Sequence, residues 1–268
     1  MSTTGVKRDR DGNARAAAAA SQSQKQANDD VPRGRFHDMF EGFRNELDEH
    51  HDRKERITKV SRDVTALSKK IIFSLQRINE PNKEFTPKVQ EEIEARLAEI
   101  TAQLAKVAPD LQSINRHRYT WQMRCLDELV EALSLAHYLR HQTLITREEA
   151  QARVPEAVPL THLDYLWGVF DLSGEMMRFA TVATARTGRM AGGVGGRSIL
   201  GDLQELRFRL EMLPEIPTKE YRGKMEVMRQ SVQKVEKLGY GLVVRGSERP
   251  RGWLPDMKDD TAGAVEPV

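Results

Sequence analysis

Ile57-Thr-Lys-Val-Ser-Arg-Asp-Val-Thr-Ala-Leu-Ser-Lys-Lys-Ile-Ile-Phe-Ser-Leu-Gln-Arg-Ile78 is the stretch on which the fold turns. Its apolar residues Ile57, Val60, Val64, Leu67, Ile71, Leu75 and Ile78 recur at steps of three and four, the spacing of one helix face. The same spacing continues toward the N-terminus through Phe36, Met39, Phe40, Phe43 and Leu47, with Gly42 the only glycine and no proline between Phe36 and Asn79. The segment predicts a single helix of about 40 residues and about 60 Å, where the usual length is about 11–12 residues. A helix that long needs a bundle or an oligomer to lie against.

Outward from it, the chain keeps the same period. Pro81 ends the long helix, and Thr86-Pro87 reads as N-cap and first-turn proline of a second one carrying Val89, Ile93, Leu97, Ile100, Leu104 and Val107. Asp110 is expected to cap a third helix, roughly 111–142, with Ile114, Met123, Leu126, Val130, Leu133 and Leu139. Thr146 with Glu149 is a capping-box signature for a short helix stopped by Pro155. A fifth helix runs from about Thr161 to Ala185, a Gly-rich basic loop fills 187–197, and two last helices follow at about 198–212 and 218–238. Only Leu242 to Val244 alternates with period two, too short a run for a strand. The reading is all-α. Residues 1–32, with an Ala run and few large apolar side chains, read as a disordered tail, 33–250 as one helical domain and 251–268 as a flexible C-terminal tail.

Composition narrows the function. The 268 residues carry 42 Lys+Arg against 40 Asp+Glu, a net charge of +2, which argues against a wholesale polycation. A single cysteine, Cys125, excludes a disulfide framework and a cysteine-based zinc finger; on an apolar helix position it reads as core. No apolar run approaches a membrane span and Met1 to Gly12 is no secretory signal, so a soluble cytoplasmic or nuclear protein is expected. No HExxH, no Walker A loop, no GxSxG elbow and no paired Glu-x-x-His di-iron motif is present. His50 and His51 sit in an acidic helical surface and read as solvated.

The neutral total conceals a polarity. From Asp38 to Asp52 there are six acids and one base, and from Arg53 to Ile78 eight bases and two acids. The basic stretch, with Arg53, Lys54, Arg56, Lys59 and Arg62, suits phosphates as well as it suits a solvated face with i,i+4 pairs. Arg116 and Arg118 add a second basic spot.

Two helices carry acids at same-face spacing: Glu128 and Glu131 at i,i+3, and Asp171 and Glu175 at i,i+4. Each pair lies opposite its helix's main apolar stripe, yet has apolar neighbours: Trp121, Leu135 and Tyr138 around the first, Trp167 and Gly168 around the second. Helices apolar on both sides are usually covered on both sides, and covered carboxylates need a partner. Four of them are the hard oxygen ligands that Mg²⁺ or Mn²⁺ prefers. Spacing alone leaves ordinary surface acids as the other reading.

Several segments resemble the translin family, in particular its catalytic, TRAX-like branch. They are Glu46-Leu-Asp-Glu-His-His-Asp-Arg-Lys-Glu-Arg56, Ser61-Arg-Asp-Val64 through Ile72-Phe73 to Arg77-Ile78, Glu128-Leu-Val-Glu-Ala132, Asp164-Tyr-Leu-Trp-Gly-Val-Phe-Asp-Leu-Ser-Gly-Glu-Met-Met-Arg178, Ser231-Val-Gln-Lys-Val-Glu236 and Val244-Arg-Gly-Ser-Glu248. The resemblance runs in order over roughly 36–250. It implies a seven-helix bundle with a long N-terminal helix, assembled with translin into a hetero-octameric shell. It further implies a Mg²⁺-dependent endoribonuclease acting on single-stranded RNA, with DNA as a second candidate ligand. The substrates implied are passenger-strand fragments in RNA interference and pre-tRNA leader fragments. The family's catalytic, metal-binding acids fall on Glu128, Glu131, Asp171 and Glu175, all acids here. The alternative is a non-catalytic helical scaffold that binds translin and nucleic acid. The catalytic reading expects the four carboxylates to converge within a few Å, roughly the span that one or two ions bridge.

Overall fold

The computed structural model describes residues 34–78, 80–81, 83–192 and 197–245. Both expected tails and Gly193, Gly195 and Gly196 of the Gly-rich loop lie outside them. The described residues form eight α-helices and no strand: α1 His37–Leu75, α2 Pro87–Val107, α3 Asn115–Arg118, α4 Cys125–His141, α5 Arg147–Gln151, α6 His162–Thr187, α7 Ile199–Glu211 and α8 Lys219–Arg245. The all-α expectation and the long first helix both hold.

By compactness the chain divides between Asp52 and Arg53. In the first unit the apolar face of α1 is present but open to solvent: Phe36, Met39, Phe40, Phe43 and Leu47 are all exposed, with Phe40 and Phe43 edge to face. In the second unit the same helix turns its stripe inward. Ile57, Val64, Ile71 and Leu75 are almost fully buried and share one core with Ile100 and Leu104 of α2, Leu126 and Leu139 of α4, Phe179 of α6 and Met228 of α8. Within this unit α4 packs on α6, α6 on α8, and α7 on α8. Cys125 is buried, and burial pushes its thiol up to about 12, as befits a core residue rather than a nucleophile.

The expected third helix is a correction. Instead of one helix over 111–142 there is a 3₁₀ turn Ala108–Leu111, the short α3, a second 3₁₀ turn Thr120–Met123, and only then α4. Ser113 takes a positive φ of 57°, which no helix continues through. The broken path delivers polar side chains to partners that a continuous helix would not reach. Asp110 caps nothing; its carboxylate accepts from Arg56 Nε at 3.0 Å and Nη2 at 2.8 Å, and from Arg53 Nε at 3.4 Å. The last helix runs on to Arg245, so Leu242 to Val244 are helical.

The capping chemistry follows the sequence. Thr146 and Glu149 close the expected capping box at α5, and Thr161 with Asp164 forms a second at α6. Asp164 also pairs with the buried Arg116, so this cap ties α6 to α3. Thr161→Ala is expected to cost about 1 kcal/mol, lowering Tm by about 2–4 °C. A thermal melt that matched wild type would remove the cap from the account.

Candidate metal centre and nucleic-acid face

Gly168 sets the geometry of the candidate centre. A Cβ built on it would lie 2.6 Å from Cβ and Cγ1 of Val130 and 2.7 Å from the backbone oxygen of Asp127, so α4 and α6 approach as closely as backbones allow. Glu131 follows Val130, and Asp171 lies one turn after Gly168. The approach therefore turns Glu128 and Glu131 of α4 toward Asp171 and Glu175 of α6. Glu128, Glu131 and Glu175 line a cleft of about 520 Å³, together with Lys69 and Phe73 of α1 and Gln76 just after it.

Electrostatics confirm that the acids face one another. Glu131 is 8% exposed, and its pKa is pushed up to about 8, first by burial and then by Asp171, Glu128 and Glu175. Burial likewise raises Glu128, with Lys69 opposing. Three of the four carboxylates have their own donor. Lys224 Nζ of α8 lies 2.7 and 2.6 Å from the two oxygens of Asp171. Gln76 Nε2 donates to Glu175 Oε2 at 2.5 Å, Arg178 stands 3.5 Å from Glu175 Oε1, and Lys69 Nζ stands 3.6 Å from Glu128 Oε1. Glu131 makes no hydrogen bond or ion pair with a described residue.

Among the described residues, the group of three or more metal-type side chains whose ligand atoms lie within 4.8 Å of one another is His37, Asp38 and Glu41, at the exposed start of α1. No three of the four expected acids meet that distance, so the few-Å convergence expected from the sequence is not reached. The chemistry of the donor set nonetheless fits a hard divalent cation. Glu131 is a buried carboxylate without an ion-pair partner among the described residues, and Oε1 of Gln76 is a buried oxygen without a hydrogen-bond donor. To bind an ion, Asp171 and Glu128 must exchange Lys224 and Lys69 for it.

Sequence reasoning missed Lys224 and Gln76. No local signal marks them: each lies far along the chain from the acid it holds, and only the tertiary fold brings it there. Asp127, also missed, is buried and pushed up to about 7, by burial first and then by Asp164. Trp121 does not flank the first acid pair under cover as expected; it is 71% exposed, with Arg124 over its ring.

The expected RNA-binding set divides. Arg116 is a correction: it is 4% exposed, donates to the Pro159 carbonyl at 3.2 Å and pairs with Asp164, so it holds the fold and reaches no phosphate. Arg53 and Arg56 are engaged with Asp110. Lys54, Lys59, Arg62 and Arg118 are exposed.

The translin family pattern matches residues 52–246. The chain belongs to the translin family. The matched region opens where the second compact unit does, at Asp52 and Arg53, and contains all four acids. Translin-associated protein X of Rattus norvegicus is 31% identical over 250 aligned positions, covering 81% of this chain and 82% of the rat protein. The Schizosaccharomyces pombe homolog of that protein is 27% identical, covering 78% of this chain and 89% of its own length. The crystal structures of apo-NeC3PO and AfC3PO share the translin fold, with TM-scores of 0.55 and 0.54 at 18% and 21% identity. They cover 76% and 79% of this chain and 96% and 100% of their own. No helix among the described residues of this translin-family chain is long and apolar enough to cross a membrane.

Proposed function

We propose that this chain is the catalytic subunit of a Mg²⁺-dependent endoribonuclease, assembled with a translin partner into a closed shell and acting on single-stranded RNA. The observation that carries this is the placing of Glu128, Glu131 and Glu175 at one cleft of a translin-family domain, with Glu131 buried, without an ion-pair partner, and acted on by the charge of Asp171. The names of its relatives, translin-associated protein X, support the partner. Passenger-strand and pre-tRNA leader fragments are the substrates of this reading.

All four acids would hold the ion, Mg²⁺ or Mn²⁺, and one of them also orients the attacking water. The ion supplies Lewis acidity toward water and the phosphodiester oxygens. Lys69 and Arg178, at the rim of the cleft, are placed to take the negative charge of the substrate once the acids release them. Lys54, Lys59 and Arg62 give α1 a basic face for the strand, so binding weakens as salt rises.

The test is cleavage of single-stranded RNA by the full chain reconstituted with its translin partner. Activity with Mg²⁺, its loss on chelation and its return with Mg²⁺ or Mn²⁺ is the expected result; an assembled complex that binds RNA but never cuts it overturns the reading. The separation of the four acids and the Lys224–Asp171 pair favour a second reading, a non-catalytic scaffold. It expects salt-dependent RNA binding, indifferent to Mg²⁺, that falls when Lys54, Lys59 and Arg62 are neutralised.

A further inference from the structure

One feature of the cleft plays no part in holding an ion. Phe73 of α1 lies on its rim and is 63% exposed, although it sits among residues of α1 that are almost wholly buried. The guanidinium of Arg77, one turn on, stands 4.6 Å from the centre of its ring. Lys69, one turn back, is exposed and reaches Glu128 across the same cleft. Lys69 and Phe73 on the last turns of α1 and Arg77 in the turn that follows it thus form a row of cation, ring, cation.

We propose that this row is a single-strand subsite, in which a nucleobase stacks on Phe73 while Lys69 and Arg77 take the phosphates on either side. The inference rests on the reading of this chain as an RNA-binding subunit and says how the strand is seated.

Two occupants of an exposed aromatic ring compete: a protein surface and a base. The charge decides between them. Interface cores are depleted in charged residues, whereas Phe73 has a cation a turn away on each side and Arg178 at the same cleft. Alternating cations and rings are what a single strand presents a need for, since each base has a π-face and each linkage a charge. A base can reach the ring only when it is unstacked from its neighbours, so the subsite selects single strands over duplexes. Because Phe73 lines one cleft with Glu128, Glu131 and Glu175, a base seated on the ring brings its own linkage to these carboxylates.

The experiment uses the full-length chain, alone and reconstituted with a translin partner. The probe is a short oligouridine carrying one 2-aminopurine, free or paired in a duplex. Wild type is expected to bind the single strand in preference and to shift the 2-aminopurine emission in the manner of a base stacked on a ring. Phe73→Ala is expected to bind roughly tenfold more weakly and to lose the emission change, with the salt dependence unaltered. Phe73→Trp restores both. Arg77→Gln keeps the emission change and lowers the salt slope by about one. Phe73→Ala binding as tightly as wild type overturns the inference while leaving the nuclease reading intact. So does a change in the mass of the assembly, which shows the ring to be covered by protein. Wild type that binds no RNA overturns both.

Discussion

Glu131→Gln is expected to reduce Mg²⁺-dependent cleavage on the order of 100-fold or more while making the metal-free protein more stable. Both effects come from one cause. Glu131 is buried, with three carboxylates acting on it and Lys224 alone opposing them. As a ligand it donates a charge that a glutamine lacks; without an ion that same charge is a burden on the fold. The sign of the pH dependence follows. The folded pKa, about 8, lies above the ordinary 4.5 of an unfolded chain. Between those values the folded state holds a proton that the unfolded state has released, so stability falls as pH rises through the window. The loss is of order a few kcal/mol. Asp127, raised to about 7, adds to it in the same direction. Thermal melts of chelator-treated protein from pH about 5 to about 8.5 are expected to show this fall, to show it flattened in Glu131→Gln, and to show it offset by saturating Mg²⁺. A variant that cleaves like wild type would sink the catalytic role of Glu131. Unchanged pH dependence would sink its raised pKa. Glu128→Ala and Asp171→Asn are expected to lose cleavage as well, with assembly and RNA binding retained.

Gly168→Val is expected to be the most destabilising single change at the candidate centre. Its Cβ would meet Val130 at 2.6 Å and, more seriously, the backbone of Asp127 at 2.7 Å, which no rotamer change relieves. The two helices must part, and overpacking of this kind costs typically about 1–3 kcal/mol per site. The γ-methyls of valine take the expected loss to about 4 kcal/mol, a fall in Tm on the order of 10 °C. Parting α4 from α6 also moves Glu131 away from Asp171, so metal binding is expected to fall with it. Gly174→Ala in the same helix is the control. Nothing lies within 4 Å of a Cβ built there, so alanine is expected to raise stability by about 0.5–1 kcal/mol through helix propensity. If the two glycines respond alike, the close approach is not what Gly168 provides.

The helices were legible because their signal is local. Ile57 to Ile78 repeats with the period of the helix whatever it packs against, and Thr146 with Glu149 closes its cap within one turn. The stretch from Leu111 to Met123 was misread because its apolar residues, Ile114 and Met123, fit a helical period while its polar ones answer to distant partners. Arg116 misled for the same reason. A run of Arg, His and Arg looks like a surface for phosphates, and nothing in it shows that Asp164, forty-eight residues on, draws the first of them into the interior.

The sequence by itself determined the helical class, the family, and which acids share a face of which helix, since period and residue type are properties of a segment. Only the tertiary structure decided what those acids meet. Gly168 closes α4 on α6, Lys224 and Gln76 arrive from segments far along the chain, and Glu131 is left buried with no ion-pair partner. Burial and Coulomb interaction act through space, between residues that the chain order keeps apart, and the pKa of a carboxylate is set by both.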